Sequence, residues 1–233
     1  ENEYYGDFTN VTTPGTYYIR SQIGIVSHAF TIAENPYPDL QKSLLKMLSL
    51  QRCGQDLNSS WAGSLAHPQC HTDTAAVYGT SQTIDVSGGW HDAGDYGRYI
   101  KTGSKAVNDL LFAYMFQPNQ YGDDGSGPDA GNGVSDLLDE ARYELEWMLK
   151  MQADSGGVYN KVLTSNLAEI ISPDQDKQAL YVLPEETTAT ADFAGTMAAA
   201  SLAYQKSDPD FANQCLQAAE AASAYLDANP DII

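Results

Sequence analysis

Five stretches of this chain repeat their apolar residues at helical spacing, and three long stretches between them show no period. That alternation constrains the fold most. Leu40, Leu44, Leu45 and Leu48 share one face over about 39–50. Leu138, Ala141, Leu145, Met148 and Leu149 form a stripe over about 135–151. Helices are also predicted over about 100–115, 187–205 and 209–228; the last two are rich in Ala, Phe and Tyr, which suits close helix–helix packing. Residues of about 54–90, 117–133 and 154–185 read as loops, and loops of that length are usually functional or metal-bound. The class is mainly α, and helix pairs joined by long loops fit an α/α toroid. Residues 1–33 read differently. Pro14-Gly15 is a turn signal, and Thr16–Arg20 and His28–Ile32 are short aromatic and β-branched runs, hence strands. Two strands do not make a stable sheet alone. Glu34–Pro38 reads as a linker.

Composition narrows the partners. Of 233 residues, 42% are hydrophobic and fifteen are Tyr, enough for a globular core despite a net charge of −19. That charge repels phosphate backbones, so no nucleic-acid partner is expected. No apolar run is long enough to span a bilayer, and no membrane partner is expected. The chain carries no signal peptide and opens mid-domain at Glu1, so the expectation is a secreted protein from which a signal and further sequence have been removed. Three cysteines do not make a disulfide framework. Cys215 lies on a helical pattern and reads as a buried small hydrophobe.

The run Ser87-Gly88-Gly89-Trp90-His91-Asp92-Ala93-Gly94-Asp95-Tyr96-Gly97-Arg98-Tyr99 puts two carboxylates three residues apart in a loop rich in glycine and aromatics. Asp92 and Asp95 can both point at one water. A water held by two carboxylates, one free to take its proton, is what inverting glycoside hydrolysis needs on one face of a sugar ring. The alternative is a turn in which both Asp side chains cap backbone N–H groups.

The wording of this run resembles the N-terminal signature of glycoside hydrolase family 9, the inverting cellulases. The resemblance extends to Gln51-Arg52-Cys53-Gly54, Gln69-Cys70-His71, the helix from Ser135 to Met151, Gly157-Val158-Tyr159-Asn160-Lys161 and Thr190-Ala191-Asp192-Phe193-Ala194, in family order over about four fifths of the chain. Many relatives would show His at the position of Asn160. The resemblance implies a partial (α/α)6 barrel: residues 39–233 as the N-terminal half of the catalytic domain, 34–38 as linker, and 1–33 as the closing strands of an immunoglobulin-like module. It implies endo-hydrolysis of β-1,4-glucosidic bonds in cellulose or cello-oligosaccharides with inversion. Asp95 is then the general base, and Asp92 helps hold the attacking water. The family's general acid is a Glu near the C-terminal end of the catalytic domain. No matching motif occurs here, and Glu140, Glu185 and Glu186 are not candidates, so the remaining half of the domain is required. Trp90 reads as packing; Tyr96 and Tyr99 either stack on glucosyl faces or pack the loop.

Cys53, Cys70, His71 and His91 supply two thiolates and two imidazoles, the ligand types of a closed structural zinc site. On chemistry alone, a Cys53–Cys70 disulfide competes. Zinc-bearing relatives carry the same residue types at matching positions, so the resemblance implies zinc, structural because four protein ligands leave no open position. His67 reads as a surface residue. The stretch Asp123–Asp136 offers oxygen ligands and glycines that suit calcium; a solvated acidic turn with Ser135 or Asp136 capping the next helix accounts for it equally. Two rival functions stand beside the endo-cellulase: an exo-acting glucosidase or glucosaminidase of the same family, told apart by products on cello-oligosaccharides, and a non-catalytic zinc-stabilised carbohydrate-binding fragment, which would bind cellohexaose without releasing reducing sugar.

Overall fold

A computed structural model describes residues 5–125 and 127–230. Residues 1–4 and 231–233 and Ser126 of the acidic loop, on which part of the sequence reading falls, lie outside the described residues. The chain divides into two units, Glu1–Lys42 and Ser43–Ile233.

The first unit holds one antiparallel hairpin, β1 (Gly15–Tyr17) and β2 (Phe30–Ile32), with Thr16 opposite Thr31. Its turn is not at Pro14-Gly15, which opens β1. It lies at Ser21–Ile25, where Ser21 N–H bonds Ile25 O and Gly24 adopts φ +90°. The Phe30 ring lies 5.3 Å from Phe8 and 6.5 Å from Tyr17.

Helix α1 (Pro38–Ser49) starts in the first unit and ends in the second. Its buried face is rotated from the one predicted. Leu45 and Ser49 are buried, while Leu40 and Leu44 are about half exposed. The Ser49 hydroxyl instead accepts a bond from Trp61 Nε1 at 3.1 Å. Trp61 sits on the one-turn helix α2 (Ser59–Ala62), started by Asn58 Oδ1 accepting Trp61 N–H.

The second unit joins a mixed sheet to four long helices. Four sheet strands lie in stretches that read as loops: β3 (Thr74–Val77) and β4 (Thr83–Asp85) before the aspartate run, and β6 (Lys161–Thr164) and β7 (Leu180–Val182) within 154–185. β5 (Arg98–Tyr99) ends the aspartate run and completes the order β4-β3-β7-β6-β5, with only β3–β7 parallel. Strands of two to four residues are too short to show alternation, so periodicity does not reveal them.

The helices α3 (Ile100–Phe116), α4 (Asp136–Lys150), α5 (Thr187–Tyr204) and α6 (Pro209–Ala228) match the predicted spans within a residue or two. Leu138, Ala141, Leu145 and Met148 are buried as expected. α5 is apolar around most of its circumference, so it packs against both α3 and α6. Burial of Phe193, Met197 and Leu145 stabilises by roughly 1.5–3 kcal/mol each. Asp208 caps α6, accepting Phe211 N–H at 3.0 Å, with Pro209 in the first turn. Ser135 and Asp136 do not cap α4 as expected: no side chain caps its N-terminus, and Asp136 Oδ2 accepts Asp124 N–H at 2.9 Å. Cys215 is fully buried, as read. No helix among the described residues is long and apolar enough to cross a membrane.

Candidate active site and metal centre

The aspartate loop is positioned from both ends. At its start, residues beyond α1 run alongside it: Cys53 N–H bonds Gly89 O at 2.7 Å, and His91 N–H bonds Gln51 O at 2.8 Å. At its end, β5 pairs with β6, Arg98 opposite Val162, and the chain passes directly into α3, where Ile100 N–H bonds Asn160 O at 3.0 Å. The Arg98 guanidinium is fully buried and donates to the carbonyls of Val86 and Gly88.

Beneath the loop lies α4. Glu140, Tyr143, Glu144 and Trp147 recur at helical spacing on one face. Glu144 Oε2 accepts Trp90 N–H at 2.6 Å, and Glu140 Oε1 accepts Trp90 Nε1 at 2.8 Å. Glu140 also pairs bidentately with Arg52, at 3.2 and 3.1 Å. Tyr143 OH donates to Cys53 O at 2.5 Å, and its ring lies under Arg52 at 4.4 Å. Trp147 is packed under Gly89: a Cβ there would come within 2.7 Å of the indole, and its φ of +77° favours glycine as well. Trp90 is therefore a packing residue, as read. From the sequence, Glu140 is only set aside as general acid and Glu144 is not singled out, because the stripe on α4 reads as apolar. Burial pushes the Glu144 carboxyl up to about 8, against the lowering effect of the Trp90 N–H.

On the open side, Asp92 is exposed and Asp95 half-buried. Asp92 N–H bonds Gly97 O at 2.9 Å, and Tyr96 closes the turn at φ +58°. Asp95 Oδ1 accepts Gly97 N–H at 3.3 Å and its Oδ2 accepts Tyr99 OH at 3.4 Å. The Tyr99 phenol is pushed up by burial first, then by the charges of Asp95 and Asp92. One phenol thus feels both carboxylates. Asp92, Tyr99 and Glu144 share a cavity of about 290 Å³ with Met47 and Leu48. Tyr96 is no open platform: its ring lies 5.7 Å from His71 and 5.0 Å from His91, and its OH donates to Ile171 O.

Behind the aspartates, Cys53, Cys70, His71 and His91 converge. All four are buried, and one ligand atom from each lies within 4.8 Å of the others. Cys70 Sγ is 3.8 Å from His91 Nε2, and neither ring nitrogen of His71 has a hydrogen-bond partner. Both thiols are free. The neighbouring Cys53 thiol holds Cys70 toward the thiolate, and the same neighbour, with burial, pushes Cys53 up. Burial keeps His91 toward the neutral, ligating form. Buried thiols and unpartnered imidazole nitrogens within metal-bridging distance fit a metal ion. His67, read as a surface residue, is buried: its backbone pairs with Leu57 and its Nδ1 meets Pro68 O at 2.7 Å.

The acidic stretch behaves differently. Asp123 accepts the N–H groups of Gly131 and Gly133 at 2.6 and 2.7 Å, Asp139 accepts Asn132 Nδ2, and Asp129 pairs with Arg52 at 2.7 Å. Among the described residues, the Cys/His group is the one cluster of three or more such ligands, so nothing supports the calcium reading.

The family model described as glycosyl hydrolase family 9 matches residues 37–232. A cellodextrinase from Butyrivibrio fibrisolvens is 36% identical over 99% of this chain and 43% of its own length. A single mutant of a thermostable endoglucanase from Alicyclobacillus acidocaldarius superposes with a TM-score of 0.84 at 36% identity, over 96% of this chain and 42% of its own. A zinc-binding triple mutant of the family 9 endoglucanase J30 gives 0.83 at 34% identity, over 97% and 44%. The chain spans about two fifths of the length of the relatives it matches.

Proposed function

The chain belongs to glycosyl hydrolase family 9, and from that premise we propose that it carries the water-activating side of an inverting endo-β-1,4-glucanase acting on cellulose chains and cello-oligosaccharides. The observation that carries this reading is the pair Asp92 and Asp95, in a loop fixed at both ends and from below, with one phenol under the charge of both. Asp95 is the base. Its hydrogen bonds to Gly97 N–H and Tyr99 OH fix the carboxylate while leaving lone pairs for a water. Asp92 holds the same water from the other side. Proton transfer to Asp95 as the water attacks the anomeric carbon gives inversion when the leaving oxygen departs from the opposite face. We assign no general acid within residues 1–233. The names of two relatives, a cellodextrinase and an endoglucanase, support the substrate class.

The fold proposal follows the same premise: α1 and α3 to α6 are part of an (α/α)6 barrel, 39–233 is the N-terminal half of the catalytic domain, and the hairpin in residues 1–33 closes an immunoglobulin-like module. The proposed partner of these helices is the remainder of that domain, and the proposed location is outside the cell.

The metal we propose at Cys53, Cys70, His71 and His91 is zinc. Two thiolates and two imidazoles match its preference, and a related endoglucanase mutant is described as zinc-binding. When bound, it supplies a closed structural cross-link. Cys53 follows α1 and His91 adjoins Asp92, so the cross-link ties the aspartate loop to the helix end.

The test uses an active enzyme containing this chain. Fresh product from cellohexaose is the α-anomer by proton NMR. Asp95→Ala lowers kcat by roughly 10²–10⁴-fold, the usual share of acid–base catalysis, with KM little changed. Near-wild-type turnover in Asp95→Ala, or β-anomeric product, sinks the assignment.

A further inference from the structure

One buried carboxylate outside the described ligand set is unspent. Asp176 lies in the segment between β6 and β7, far from the cluster in sequence. Its Oδ1 accepts Gln178 N–H at 3.1 Å, which fixes the side chain in a local turn. Its Oδ2 is left 3.5 Å from His71 Nε2, with the two side chains only 2% and 3% exposed. Neither that oxygen nor either nitrogen of His71 has a hydrogen-bond partner in normal geometry. Three buried polar atoms without partners in one place are costly unless a shared occupant satisfies them.

Imidazole chemistry says how they are satisfied together. A neutral ring has one N–H and one lone pair. The nitrogen facing a carboxylate keeps the proton, and the other offers its lone pair to a metal. For His71 the carboxylate faces Nε2. For His91, by contrast, Nε2 is the atom that meets Cys70 Sγ, at 3.8 Å.

We propose that Asp176 is the outer carboxylate of the metal centre: it accepts the Nε2–H of His71, turns Nδ1 to the metal, and fastens the segment between β6 and β7 to the aspartate loop. The inference rests on the metal reading above and deepens it. The two histidines then bind as opposite tautomers, His71 through Nδ1 and His91 through Nε2. The fastening has a second point, since Tyr96, next to Asp95, donates its OH to Ile171 O on the same segment. Asp176 is a positioning residue: it acts through His71 and does not reach the sugar.

Two measurements on the full chain test this. The first needs no variant. Long-range proton–nitrogen NMR of zinc-loaded, ¹⁵N-histidine-labelled protein reads each ring's tautomer; the four histidines make assignment by single replacement practical. His71 protonated at Nε2 and His91 protonated at Nδ1 is the expected result. His71 bound through Nε2 overturns the proposal. The second is zinc competition with a chromophoric chelator. Asp176→Asn weakens zinc by roughly 10–100-fold, while Asp174→Asn on the same segment leaves it unchanged. Wild-type affinity in Asp176→Asn overturns the proposal alone. A wild-type chain that takes up no zinc overturns the metal reading and this inference with it.

Discussion

Two loops of this molecule have much the same composition and opposite architecture. The aspartate run, 87–99, and the acidic stretch, 117–135, are both rich in glycine and aspartate. In the first, the fixing hydrogen bonds reach 50 and 54 residues along the chain, from Trp90 to Glu140 and Glu144. In the second, Asp123 binds backbone 8 and 10 residues away and Asp124 N–H meets Asp136 after 12; its one long reach among the described residues is the ion pair from half-exposed Asp129 to Arg52 at 2.7 Å. A loop held mostly by its own backbone, with one half-exposed ion pair reaching out, can shift with little effect on anything distant. A loop anchored on a helix face, a sheet strand and a cysteine–histidine cluster cannot. What separates a candidate site from a solvated turn is the distance its partners come from, not its residue content.

The sharpest way to break the comparison is to remove the anchors unique to the first loop. Cys70→Ser removes one of the four clustered ligands. With free zinc at a thousand times Kd, the lost linkage is about 4 kcal/mol, read as a fall in the unfolding midpoint that excess zinc no longer reverses. A midpoint equal to wild type in both zinc and chelator contradicts a structural metal.

An effect of comparable size, spread over the pH range between 4.5 and about 8, comes from Glu144. Its carboxyl is pushed from an ordinary value of 4.5 up to about 8 by burial. The folded state therefore holds a proton that the unfolded state has released. The stability this contributes is present below about pH 4.5 and is lost as pH rises toward 8. Glu144→Gln, neutral throughout, removes that loss. The difference in unfolding free energy between the two proteins changes by up to about 1.4 kcal/mol per pH unit across this window. Parallel pH profiles would show that Glu144 is ionised in the fold.

The smallest effect is expected in the second loop. Asp123→Asn deletes an exposed carboxylate that binds only its own loop. Activity and midpoint stay at wild-type values in thermal and reducing-sugar assays. A large loss there would mean that the Asp123 turn is needed to hold Asp129 against Arg52.

The sequence carried the long helices because four to five turns of periodic apolar residues leave a clear signal, and α3 to α6 fall where that signal places them. It also carried Cys53, Cys70, His71 and His91 as one group: their ligand types suit a metal, and the family resemblance, not the chemistry alone, favoured that over a Cys53–Cys70 disulfide. The sheet was not legible: β3 meets β7 across more than a hundred residues, with Ala76 opposite Tyr181, and pairing at that range leaves no local mark. Glu140 and Glu144 were not legible either. On a helix they look like ordinary surface acids, and only the loop above them gives them partners. Asp176 was hidden in the same way, as one acid in an aperiodic stretch whose role depends on His71 lying 105 positions earlier.

The packing around Gly89 also determines what light reports about this protein. Of its three tryptophans, Trp90 and Trp147 are buried on either side of that glycine, and only Trp61 sits elsewhere, half-buried beside Lys46. Intrinsic emission is therefore not an average over the molecule. It is weighted toward the floor of the aspartate loop, with the imidazole of His91 next in the chain to one emitter, so the protein carries a native optical probe beside the cysteine–histidine cluster and the two aspartates.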